Sequence, residues 1–202
     1  MAGTDDLRDE LRDKPSDSDI IAAVLAGKTD RFRELVERYQ GRVFGYLYRH
    51  LREDTETARD LAQTVFLKAY RNLAAVDSSR PLAPWLLRIA HNEGANHLRW
   101  RARHPEAGME PEGWDKMASP PGADPETQLA RQQERARVRT ALDGLPEKMR
   151  AAVMLFYFEE RSYGDIGEIL NIPSGTVGTL IRRGRERMRI VLEPENNPDR
   201  KK

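Results

Sequence analysis

Apolar residues recur at helical spacing along most of this chain, and the helices they predict fall into two blocks. Asp19 to Ala26 reads as a short helix. Asp30 to Leu51 reads as a longer one with Phe32, Leu35, Val36, Tyr39, Val43, Tyr46 and Leu47 on its packing stripe. From Asp54 to Leu73, Ala58, Leu61, Ala62, Val65, Phe66, Ala69 and Leu73 turn inward, while Glu56, Asp60, Gln63 and Thr64 share the outward side. A fourth helix is expected from about Pro84 to Arg103. The stretch from His104 to Asp124 then carries Pro105, Pro111, Pro120 and Pro121 with Gly108, Gly113 and Gly122 and no sustained period, the mark of a linker. Pro125 to Leu142 reads as a polar helix, and Pro146 to Phe158 as an apolar one built on Met149, Ala152, Val153, Phe156 and Tyr157.

The last pattern is the most specific. Ile166, Ile169 and Leu170 repeat at helical spacing, Asn171, Ile172 and Pro173 interrupt, and Val177, Leu180, Ile181, Met188 and Val191 resume the stripe. Two short amphipathic helices joined by a tight turn form a helix-turn-helix, and Ser162 with Asp165 three residues on supplies a cap for the first of them. Opposite the second stripe lie Thr176, Thr179, Arg182 and Arg183, with Arg185, Arg187 and Arg189 beyond. Small hydroxyl residues near a helix N-terminus let it approach base edges, and arginines reach guanine or phosphate. The alternative is an amphipathic helix whose charged face is simply solvated.

The fourth helix carries a second unusual face. Arg88, Asn92, Asn96, Arg99 and Arg103 recur at steps of four, four, three and four, forming one polar stripe beside Trp85, His91, His97 and Trp100. Cations that hold a backbone, with amides and aromatics that meet exposed bases, suit a single or melting nucleic-acid strand. Trp85, with Leu86 and Ile89 beside it, reads as a core anchor. Without neighbouring paired carboxylates or cysteines, the histidines read as solvated or DNA-facing rather than metal-binding.

Composition narrows the choice. With 202 residues, 33% of them charged, and a net charge of only +1, any binding to nucleic acid must come from local basic patches. Cysteine is absent, so disulfides and thiolate metal sites are excluded. No apolar run approaches membrane-spanning length and the acidic start is unlike a signal peptide, so a cytoplasmic protein without membrane insertion is expected. Neither strand alternation nor an internal repeat is visible. The expected fold is all-α, two helical domains joined by a flexible linker, with an N-terminal extension over 1–17, a first domain over 18–104, a linker over 105–123, a second domain over 124–192 and a polar tail over 193–202. A repressor or response regulator would need a βα sensor or dimerisation element ahead of the helix-turn-helix, and none is seen. Nor is there a nucleophile paired with a base, a phosphate-cradling glycine loop or metal spacing, so no enzyme and no cofactor is expected.

Taken in order, Asp60-Leu-Ala-Gln-Thr-Val-Phe-Leu-Lys-Ala-Tyr70, Pro84-Trp-Leu-Leu-Arg-Ile-Ala-His-Asn92, Asn96-His-Leu-Arg99, Leu145-Pro-Glu-Lys-Met-Arg-Ala-Ala-Val-Met-Leu155, Ser162 to Leu170 and Gly175-Thr-Val177 resemble the extracytoplasmic-function (ECF) sigma factors of the sigma-70 family, from roughly Ser18 to Leu192. The resemblance implies a bacterial transcription initiation factor whose partners are core RNA polymerase, promoter DNA and an anti-sigma protein. It places polymerase docking on Asp60, Gln63, Thr64 and Phe66, and −10 reading on Arg88, Asn92, Asn96, Arg99, Trp100 and Arg103 behind a base-capturing loop from Val76 to Leu82. It places −35 reading on Ser174, Thr176, Thr179, Arg182 and Arg183, and it implies no catalytic or metal site. Four positions depart from the family pattern: Thr64 where an acidic residue is common, His91 and Asn96 where Arg and Asp are usual, and Gly178 where Lys or Arg follows Gly-Thr-Val. In this picture the linker leaves the two domains extended and mobile, with no apolar stretch to hold them together.

Overall fold

Ser16 opens the first helix because its hydroxyl accepts the Asp19 amide while the Asp19 carboxylate accepts the Ser16 amide, two otherwise orphaned donors satisfied reciprocally. The computed structural model describes residues 15–52, 55–104 and 125–193. Residues 1–14, the expected linker and all of the expected tail but Glu193 lie outside the described residues. Among those described, the helices are α1 (Asp17–Leu25), α2 (Phe32–His50), α3 (Thr55–Arg71), α4 (Leu82–Arg103), α5 (Pro125–Asp143), α6 (Glu147–Tyr157), α7 (Tyr163–Leu170) and α8 (Ser174–Leu192), with single 3-10 turns at Thr29–Arg31 and Leu73–Ala75 and no strand.

The first block packs α1 to α4 around Leu35, Tyr46, Leu47 and Val65, buried as their periodicity predicts, together with Ile20 and Leu87. Helices α2 and α4 approach closely because Gly94 has no side chain. A Cβ there would lie 2.5 Å from Cδ2 of His50. In the second block, α7 is opened by a capping box between Ser162 and Asp165 and closed by Asn171 in the left-handed conformation, at φ 51°. Gly167 is obligatory at this turn, since a Cβ would meet the Ile172 carbonyl oxygen at 2.8 Å. Ile166, Ile169, Val177 and Ile181 are buried as expected, whereas Val191 is 45% exposed and does not belong to the stripe. That helix outruns the body it packs on.

In this structure the two blocks are in contact. Buried residues of both form one continuous apolar cluster. Helix α6 shows why: Met149 to Leu155 are buried without a break, so every face of the helix is covered. A helix buried all round lies inside a larger body, and the first block supplies the second wall. Across this boundary Arg150 donates Nη2 to the His50 carbonyl at 3.2 Å and Arg49 donates Nη2 to Oε1 of Glu159 at 2.6 Å. The guanidinium of Arg49 also lies 5.0 Å from the Phe158 ring centroid.

Candidate nucleic-acid interface

Helix α4 divides cleanly between packing and presentation. Leu86, Leu87, Ala90 and Gly94 are buried, and Arg88, Asn92, Asn96, Arg99, Trp100 and Arg103 are all exposed along the opposite face. Arg99 donates Nη2 to Oδ1 of Asn96 at 2.5 Å, Arg103 turns back to the Arg99 carbonyl at 3.2 Å, and Trp100 stacks on His104 with centroids 5.0 Å apart. This end of the helix thus offers a flat aromatic pair flanked by guanidinium groups, a surface on which an unstacked base can lie.

His91 departs from the DNA-facing role expected of it. Its Nδ1 lies 3.0 Å from the Tyr46 hydroxyl and its ring 5.2 Å from that of His50. Burial lowers its pKa to about 4, with the Arg99 charge acting in the same direction. Its place one turn after Leu87 decides this, because the packing face of α4 continues through it. Trp85 is also not a sealed core anchor. It is half-buried and lines a cavity of about 210 Å³ together with Val76, Arg80, Arg88 and, from α7, Asp165, Glu168 and Ile169.

On α8, Ser174, Thr176, Thr179, Arg182 and Arg183 are all exposed on one side while Val177, Ile181 and Gly184 pack inward. The helix has an entirely uncharged first turn and four arginines between positions 182 and 187. Gly178 sits between these faces, its missing Cβ 3.4 Å from Cε2 of Tyr163.

Helix α3 presents a different surface. Asp60 and Gln63 are exposed, Thr64 is half-buried with its hydroxyl donated to the Asp60 carbonyl at 3.1 Å, and Phe66 is buried at 8% exposure. Beside them runs an open groove of about 880 Å³ between α2 and α3, floored by Ala62 and Phe66 and walled by Phe32, Phe44, Leu67 and Tyr70. The sequence pattern assigned Phe32 and Val36 to the core, but both are half-buried along this groove. Leu67, 59% exposed, and Tyr70 were not anticipated as functional. Their one signal was an apolar pair on the polar side of an otherwise regular stripe.

Among the described residues no group of His, Asp or Glu side chains is arranged to hold a metal, and no helix is long and apolar enough to cross a membrane. The fold and these faces define a two-block helical protein with a nucleic-acid-binding helix-turn-helix in its second block. Comparison with known proteins makes this specific. The family "Sigma-70 region 2" matches residues 35–104 and "Sigma-70, region 4" matches residues 135–188. The ECF RNA polymerase sigma factor SigW of Bacillus subtilis is 34% identical over 177 residues, covering 85% of this chain and 94% of that protein. Two solved structures share the fold. CnrH in complex with the cytosolic domain of CnrY has a TM-score of 0.66 at 21% identity, covering 90% of this chain and all of that one. The sigma factor RpoE of Bartonella quintana, in complex with the anti-sigma factor NepR, has a TM-score of 0.64 at 22% identity, covering 80% of this chain and 96% of that one. The chain belongs to the ECF sigma factors of the sigma-70 family, which are initiation factors and not enzymes.

Proposed function

We propose that the chain joins core RNA polymerase in the cytoplasm through the outward face of α3, reads the −10 element as single strand on α4 and the 76–82 loop, and reads the −35 element as duplex with α8. The observation that carries this is the separation of two exposed faces of different chemistry. Amides, arginines and a stacking tryptophan on α4 suit unpaired bases, and hydroxyls followed by arginines on α8 suit a major groove. Opening of the promoter then needs no hydrolysis, because binding unstacked non-template bases shifts a melting equilibrium. The solved complex of RpoE with the anti-sigma factor NepR supports control by an anti-sigma protein here as well.

Run-off transcription with purified core polymerase tests the whole reading, since a repressor-like protein gives no promoter-specific product. Asp60→Arg reverses charge on an exposed position, so folding survives while core polymerase capture weakens. Undiminished capture with unchanged helical content removes α3 from the docking surface. Probes for the DNA faces are obtained by selecting a −10 single strand and a −35 duplex from randomised pools with the holoenzyme. Arg183→Ala then weakens −35 duplex binding by about 1 to 3 kcal/mol if the contact is bidentate to a base and spares the −10 strand. Asn92→Ala and Trp100→Ala do the reverse. Equal losses on both probes refute the division between faces.

A further inference from the structure

Where α2 ends, the fold buries a histidine whose polar atoms it does not satisfy. His50 is the last residue of α2 and is wholly inaccessible, and neither ring nitrogen has a hydrogen-bond partner among the described residues. Its ring stacks on Tyr46 of its own helix, with centroids 5.6 Å apart, and lies 5.2 Å from that of His91 on α4. The Tyr46 hydroxyl is already engaged with Nδ1 of His91 at 3.0 Å. Helix α4 presses on the His50 ring at Gly94, where a Cβ would lie 2.5 Å from Cδ2 and 3.3 Å from Nε2, so the ring has little room to turn toward an acceptor. From the second block Arg150 of α6, itself 3% exposed, donates Nη2 to the His50 carbonyl at 3.2 Å. We propose that this cluster is an acid-sensitive joint: protonation of His50 loosens the hold of α6 on α2, so the union of the two blocks weakens as pH falls below neutrality.

An imidazolium donates from both nitrogens and needs an acceptor for each. At His50 the new charge would be buried without one, next to a guanidinium that is buried as well. The charges around it are of the same sign or committed elsewhere. On α4 they are His91 and, behind it, Arg99. On α6 the nearest is Arg150, whose own counterions are Asp143 of α5, at 3.7 Å, and Glu147. Asp143 is shared with Arg52 at 3.8 Å and Arg139 at 4.0 Å, and Glu159 is held by Arg49 and Arg42 at 2.6 and 3.5 Å. Burial, with His91 and Arg150 adding to it, therefore keeps His50 neutral well below its ordinary pKa of 6.5 while the blocks are joined. Parting them removes Arg150 and opens the end of α2 to water, which returns the ring toward its ordinary value.

A group whose pKa is lower in the joined form stabilises that form fully above about 6.5 and loses the contribution as pH falls. Between pH 7 and pH 5, His50 alone shifts the ratio of parted to joined protein about 20-fold toward the parted form. Glu159 opposes this toward the lower end of the range, because burial raises its carboxyl in the joined form and it takes its proton there first.

Neither polymerase nor DNA enters the test, so its failure leaves the promoter-reading assignment untouched. The chain has no cysteine, so Glu56→Cys on α3 and Arg187→Cys on α8, both at exposed positions, carry spin labels at those two sites alone. Pulsed dipolar spectroscopy should give one narrow set of distances at pH 7 and a growing population of longer ones at pH 6 and pH 5. The ratio of long to short should rise about 20-fold, with helical content by circular dichroism unchanged. His50→Gln, which keeps an amide near the ring position and does not titrate, should hold the pH 7 distances at pH 5. The ring resonances of His50 in the unaltered chain give a second readout that needs no variant: the proton should arrive only as the long distances appear. Distances that do not respond to pH, or that lengthen only with loss of helix, overturn the joint. So does a His50 that titrates while the blocks stay together, or a folded His50→Gln chain that parts in acid as readily as the unaltered one.

Discussion

Acidification from pH 7 to pH 5 should cost the folded protein about 2 kcal/mol through His91 alone, rising to about 3 kcal/mol near pH 4. A histidine held to about 4 in the folded state, against about 6.5 when free, stays neutral in the fold while the unfolded chain takes up a proton. Stability from this group is therefore complete above pH 6.5 and is lost as pH falls toward 4. His50, fully buried beside His91 and Arg150 with both ring nitrogens lacking a hydrogen-bond partner, is lowered in the same direction by burial. Glu159 works the other way, because burial raises its carboxyl and the fold takes that proton first. Urea unfolding midpoints at pH 7 and pH 5, with and without His91→Gln, separate these contributions. Glutamine can still meet the Tyr46 hydroxyl but does not titrate, so the variant should lose most of the pH slope. An unchanged slope would show that His91 is not held neutral.

The second large effect contrasts two glycines of one helix. A Cβ on Gly184 would lie 2.5 Å from Cγ2 of Val153 and 3.1 Å from Cγ of Met149, where α8 presses on α6. Val153 is β-branched and buried, so it cannot turn away easily. Gly184→Val should destabilise by about 2 to 3 kcal/mol through overpacking and weaken −35 binding by tilting the helix that presents Thr179 and Arg183. Gly178, whose Cβ would make only an ordinary 3.4 Å contact with the Tyr163 ring, should behave oppositely. Gly178→Ala is expected to stabilise by up to about 1 kcal/mol from helix propensity. Thermal unfolding of the two variants decides the matter, and a matching change in both would remove the packing distinction.

Much of this was legible before any fold was seen, because it depends on residues a few positions apart. Stripes at 3.6-residue spacing located the described helices to within a few residues, and Ser162, Asp165 and Asn171 marked the ends of α7 by their own hydrogen bonding and backbone conformation. The same periodicity put Asn92, Asn96 and Arg99 on one exposed face of α4 and Thr176, Thr179 and Arg183 on one exposed face of α8.

What joined distant segments was not legible. His91 looked like a member of a polar face until Tyr46 and His50 of α2 were found against it, because a histidine's role depends on which partner reaches it. The groove beside Gln63 exists only because Phe32 and Val36 of α2 fall short of covering Leu67 and Tyr70 of α3. The union of the two blocks left one trace, the unbroken run from Met149 to Leu155, which a single covered face does not require. Periodicity reports that a surface is buried but not what buries it. The sequence by itself determined helices, caps and faces through local chemistry. Only the tertiary structure decided that α6 lies between the blocks and α7 lies on the 76–82 loop, since both depend on complementary surfaces from segments some 100 residues apart.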